Sequence, residues 1–127
     1  MATKIKLGQR PASFKKTITF PIHAGEQGVI ECTFKYRTRT DFGAFVDAIF
    51  NDAGQAIPQG DDFSMERLME ATRDKNADYL LEALEAWDVD QPLTRANAQR
   101  LADELPGAIV AIMEGYRAAS VEGRLGN

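Results

Sequence analysis

Residues 13–22, SFKKTITFPI, and residues 29–37, VIECTFKYR, decide the fold of this chain. The first stretch sets Phe14, Ile18, Phe20 and Ile22 on alternate positions, and the second does the same with Ile30, Cys32, Phe34 and Tyr36. An apolar period of two marks half-buried strands, because successive side chains of a strand point to opposite faces. Between them lies HAGEQG, whose two glycines suit turn positions, so an antiparallel β-hairpin is predicted over residues 13–37. Pro21 has no amide hydrogen to give to a ladder, which assigns its strand to a sheet edge or a bulge. Two strands alone are marginal in water, so the hairpin must pack on helices or gain a strand. Residues 3–7, TKIKL, are a candidate third strand, and residues 1–12 otherwise form a basic N-terminal arm.

Downstream of the hairpin the period changes. Phe42, Phe45, Val46, Ile49 and Phe50 make one helical stripe, with Thr40 or Asp41 as cap and Gly54 as stop. A polar, breaker-rich loop, GQAIPQGDD, follows. Ser64 then starts a long helix reaching about Trp87, on which Met65, Leu68, Met69, Tyr79, Leu80, Ala83, Leu84 and Trp87 recur at three-and-four spacing. Its middle, RDKNAD, is polar on nearly every side, which allows a kink or weak packing there. DVDQP stops it. Leu93 and Thr94 form a staple and cap for a third helix with Ala98, Leu101 and Leu105 inward. Pro106 suits the first turn of a fourth, with Ile109, Ile112, Met113 and Tyr116 as its stripe and Gly123 as its stop. The expected architecture is α+β, an N-terminal antiparallel hairpin followed by a bundle of about four helices over residues 40–122, with 123–127 as a tail. At 127 residues the chain has the size of one domain.

The net charge of −4 hides an asymmetry. Residues 1–40 carry eight Lys/Arg against Glu26 and Glu31, a net +6, and the remainder is net −10. A basic first third could meet nucleic acid, but the acidic remainder would repel it. A bipolar chain is better suited to pairing with copies of itself. No stretch approaches the roughly 18 apolar residues of a membrane span, and no apolar run follows the basic N-terminus as in a signal peptide. One cysteine makes no internal disulfide, which fits a reducing cytoplasm.

Chemistry is hard to find. His23, the single histidine, falls in the hairpin turn, while Cys32 lies in phase with Ile30 and Phe34 as a packed strand residue. One Cys and one His cannot close a zinc site, and Asp88 and Asp90 lack the further ligands of a calcium loop. Glu66, Glu70, Asp74 and Asp78 read as a solvated helix face. Neither phosphate-binding glycine motif occurs. No catalytic constellation, cofactor site or metal site is expected. Trp87, at a charged turn, is either a core plug or an interface anchor, the plug being favoured.

With these residues set out, the chain resembles the tail assembly chaperones of long-tailed phages and prophages. The resemblance runs from SFKKTITFPI through the FKYRTRT strand exit, then YLLEALEAWDVDQPLT, and ends in LPGAIVAIMEGYRAA followed by RLGN. It is carried by the order and spacing of elements. It implies a non-enzymatic, self-associating protein, made with the tail but absent from the finished virion. Such a chaperone coats the tape measure protein and helps recruit tail tube subunits, often through a longer form made by −1 ribosomal frameshifting. The final Leu125-Gly126-Asn127 is compatible with a slippery heptamer. A virion-resident connector protein and a small nucleic-acid-binding regulator are the alternatives.

A holder of a long amphipathic helix should offer weak, repeated apolar grooves, lined by adaptable side chains. On that basis Met65, Met69, Met113 and Trp87 are the candidate partner-binding residues, and Arg37 and Arg39 are candidates for self-association. Reversing both arginines to Glu is expected to weaken assembly without unfolding the domain.

Overall fold

The computed structural model describes residues 4–8, 10–50 and 65–124; of residue 50 and residues 65–71 it describes the backbone alone. Strands β1 (Ser13–Pro21) and β2 (Gln27–Lys35) pair antiparallel, with Ser13 opposite Lys35 and Pro21 opposite Gln27. The helices are α1 (Arg39–Phe50), α2 (Met65–Ala83), α3 (Arg95–Glu104) and α4 (Pro106–Glu122). Between α2 and α3 lies strand β3 (Leu84–Trp87), which pairs antiparallel with β2 and gives the sheet order β1-β2-β3. The fold is α+β, as the change of apolar period predicts.

The expected third strand is thus in another place. Residues 4–8 form no strand, and Ile5 and Leu7 are 79% and 92% exposed. The extra strand comes instead from what reads in sequence as the last turn of the long helix. A register shift between Thr33 and Phe34 explains the misreading. Cα partners are Phe34 with Leu84 but Thr33 with Ala86, so one residue of β3 is unopposed. That bulge puts Leu84 and Trp87, three apart, on the inward face of one strand, and three is a helical spacing. The polar middle of α2 brings no break, since Met65–Ala83 is one continuous helix.

Local signals set most other boundaries. Pro21 sits on β1, an edge strand, as its missing donor requires. The turn places Ala24 and Gly25 at φ of 57° and 75°, and the Ile22 amide donates to the Glu26 carbonyl at 2.9 Å. Helix α1 is capped by Thr38, two residues before Thr40 and three before Asp41. Thr38 Oγ1 accepts from the Asp41 amide at 3.1 Å, and the Asp41 carboxylate accepts from the Thr38 amide. This reciprocal capping box satisfies two amides that have no partner inside the helix. Thr94 caps α3 by accepting from the Asn97 amide, Pro106 opens α4, and Gly123 closes it at φ 76°. Ser64 and Gly54, the remaining expected boundaries, lie outside the described residues.

The inward face of the sheet carries Ile18, Phe20, Ile30, Cys32 and Phe34, all at most 4% exposed. Ala77, Leu80, Ala83, Ala98, Ala108 and Ile112 cover it from the helices, each fully buried. Helix α4 comes so close to β1 that a Cβ on Gly115 would stand 2.6 Å from Ile18 Cδ1. Leu105, expected inward, is 38% exposed.

Candidate partner-binding surface

Tyr116 organises the packing beneath the sheet. Its ring stacks on Phe34 at 4.8 Å between centroids and meets Phe42, Phe45 and Tyr79 edge-on. Such offset and edge contacts add to area burial because ring edges are positive and faces negative. The Tyr116 hydroxyl donates to the Lys35 carbonyl at 2.6 Å. Burial pushes its pKa up, with Arg37 acting in the opposite sense.

Arg37 belongs to this knot. Its guanidinium lies 4.2 Å from the Phe45 ring centroid and donates to the Tyr116 hydroxyl at 2.8 Å and the Glu82 carbonyl at 3.1 Å. It ties the exit of β2 to α1, α2 and α4. A carboxylate at this position would meet a ring face and two oxygens, so reversal of Arg37 is now expected to cost stability as well. Arg39, two residues on, is exposed on the first turn of α1. One of the pair is internal and the other external, and they do not form a common patch.

Cys32 is fully buried at the centre of β2. Its thiol is pushed up to about 12, first by burial and then by the negative charge of Asp88. At neutral pH it is a small apolar residue with almost no thiolate. Asp88, read in sequence only as a turn acid, accepts from the Glu31 amide at 2.8 Å and so extends the β2 ladder by a side chain. Asp74 and Asp78, read as a solvated face, meet α3 instead. Asp74 accepts from Gln99 at 3.0 Å, and Asp78 pairs with Arg95.

The remaining candidates fall in different places. Trp87 is half-buried on β3, opposite Cys32, and its indole N–H donates to the Gln91 carbonyl at 2.8 Å. It behaves mainly as a plug, although it lines a small hollow against α3. The side chains of Met65 and Met69 lie outside the described residues. Met113 lines an open apolar groove of about 380 Å³ with Phe42, Val46, Tyr79 and Val110, between α1, α2 and α4. Glu114 and Arg117 stand at its rim, joined at 2.5 Å, and Arg117 also reaches Glu122 at 2.6 Å. Those contacts hold the Glu114 carboxyl below the usual range and push Arg117 up. A second groove of about 550 Å³ between α1 and α2 is walled by charged residues, among them Arg37, Asp41, Lys75 and Glu82.

Val110 is the surface residue that the stripe reading of α4 leaves out. It is 68% exposed beside buried Ile109. Its signal was present in sequence: Ile109, Val110, Ile112 and Met113 are more apolar residues than one face of a core helix needs. Phe42 and Val46 were legible as part of a stripe, though not as the floor of a groove.

A family model described as phage tail assembly chaperone matches residues 1–127, the whole chain. The chain belongs to the phage tail assembly chaperone family. No curated protein and no solved structure matches it. Tail assembly chaperones act on other proteins of the phage tail, so the grooves on the helical side are where binding is to be sought. Among the described residues no helix is long and apolar enough to cross a membrane.

Proposed function

We propose that this tail assembly chaperone binds the tape measure protein through the groove of Phe42, Val46, Val110 and Met113, and keeps it soluble while the tail is built. The observation that carries the reading is exposed Val110 and half-buried Met113 on α4, beside a groove with a charged rim. An amphipathic helix laid there would bury its apolar stripe on Val110 and Met113, while its polar flank meets Glu114 and Arg117. One groove holds one segment weakly, so several associated copies along one long helix gain through avidity. The protein works in this reading as a self-associated, non-enzymatic holder in the host cytoplasm, helps recruit tail tube subunits and leaves before the virion is complete. A frameshifted longer form would carry the tube-binding segment after residue 127.

Co-expression tests the reading. The tape measure protein should stay in the soluble fraction with this chain and precipitate without it, and purified particles should lack the chain by mass spectrometry. A tape measure protein equally insoluble in both cases would sink the holder function; the chain in purified particles would make it a structural component.

A further inference from the structure

The sheet has an unfilled position. Strand β2 runs over nine residues, but β3 pairs only with Cys32, Thr33 and Phe34. Beyond β3, no strand among the described residues pairs with residues 27–30 on that side, and the Glu31 amide is met by the Asp88 side chain. The direction of these residues follows from the ladder. Tyr36 donates to Ala12, and Ile22 donates to Glu26, so the even-numbered residues of β2 exchange hydrogen bonds with β1. The odd-numbered ones point the other way, as the Glu31 amide does in donating to Asp88. Val29 therefore turns its N–H and C=O to the open side, where no backbone partner exists among the described residues. Its side chain is 59% exposed.

We propose that residues 4–7 of one copy of the chain add as a strand to residues 27–31 of a second copy. The segment Lys4-Ile5-Lys6-Leu7 has the alternation of a strand and none of the contacts of one, with Ile5 79% and Leu7 92% exposed. Gly8, at φ 87°, supplies a hinge behind it. Charge favours the match. Lys4 and Lys6 would arrive among Glu26, Glu31, Asp88 and Asp90, all exposed. The other free edge, β1, carries Lys15 and Lys16 and would repel the arm. On the inward side, the hollow lined by Trp87, Val89, Leu101 and Leu105 can take an aliphatic side chain.

The path of the arm favours a second copy as donor. Ala12 is bonded to Tyr36, and Arg10 stacks over the Tyr36 ring at 5.8 Å, so the arm leaves at the far end of β2. From Tyr36 to Val29 is about 23 Å along a strand. From Ala12, the last backbone anchor, to Ile5 the chain reaches about 25 Å only when fully extended. That uses up the whole arm, and Ala12 lies on the β1 side of β2 whereas the open edge is on the β3 side. Strand addition gives affinity through main-chain hydrogen bonds and specificity through alternate side chains. The inference rests on the self-association proposed above.

Analytical ultracentrifugation of the full chain tests it, with Ile5→Asp/Leu7→Asp and Val29→Pro as variants and circular dichroism as the check on folding. The arm residues are exposed, so the first variant keeps the fold; Val29→Pro removes an amide that points away from β1. The expected result is an associated wild type whose dissociation constant rises at least about tenfold in each variant, the loss of one buried apolar side chain or more. Mixed Lys6→Cys and Val29→Cys chains, both on the outward face, should give an oxidised 6-to-29 cross-link, identified by mass spectrometry. Association that neither variant weakens, with no such cross-link, leaves self-association standing through another surface and overturns the strand exchange. A wild type that stays monomeric overturns both. Variants that associate normally but fail to hold the tape measure protein would make that protein the strand donor, which also overturns the proposal.

Discussion

Tyr116 and Val110 stand on the same helix, two turns apart, in opposite environments. The Tyr116 side chain is partnered throughout: five aromatic rings meet its ring, its hydroxyl has a donor and an acceptor, and Arg37 is sandwiched in the same knot. Around Val110 the apolar surface is open, and charge is confined to the rim. The contrast separates two tasks of one helix. Its inner face holds β2, α1 and α2 together, and its outer face is the one proposed above to meet a partner. Mutations at the two places should therefore fail in different ways.

Tyr116→Ala should have the largest effect on stability. It deletes a fully buried ring and strips Arg37 and the Lys35 carbonyl of a partner. A loss of about 4 kcal/mol is expected from urea unfolding, the range for removing a large core aromatic. Next comes Arg37→Glu, which should cost about 2–3 kcal/mol by setting a carboxylate against the Phe45 face and two oxygens. Arg39→Glu, on the exposed turn, should stay within about 0.5 kcal/mol. Equal costs for these two neighbours would dissolve the distinction between inner knot and outer surface.

Cys32→Ala should cost about 1 kcal/mol, since the site is packed but the residue small. The pH dependence has a definite sign. The thiol binds its proton more tightly folded than unfolded, so its contribution is intact below about pH 9 and is lost as pH rises from 9 towards 12. Labelling by thiol reagents at pH 8 should be slow until denaturant is added. Rapid labelling of the native chain would show that the centre of β2 opens readily.

How much of this is legible in the sequence depends on whether the signal is local. The register of β1 with β2 follows from two period-two runs and a glycine turn. Thr94, Pro106 and Gly123 mark their helix ends through backbone chemistry that each residue carries itself. Strand β3 was hidden because its bulge reproduces helical spacing at Leu84 and Trp87, and only the neighbouring β2 reveals the difference. Arg37 looks like any basic residue after a strand; its role depends on Phe45, Glu82 and Tyr116, which are brought to it by tertiary packing. Met113 was legible as an adaptable apolar residue near a seam. Val110 carried a signal too, but a stripe drawn through Ile109 and Ile112 absorbs it.

The central claim is that the outer face of α4 binds and its inner face stabilises. Titration of a soluble tape measure fragment against wild type and Val110→Glu, with thermal unfolding of both, tests it most directly. A glutamate at a position 68% exposed should leave unfolding nearly unchanged, yet set a charge against the apolar stripe of the bound helix. The expected result is a dissociation constant raised at least about tenfold with a melting temperature within about 2 °C of wild type. Unchanged affinity in a folded Val110→Glu chain would contradict it.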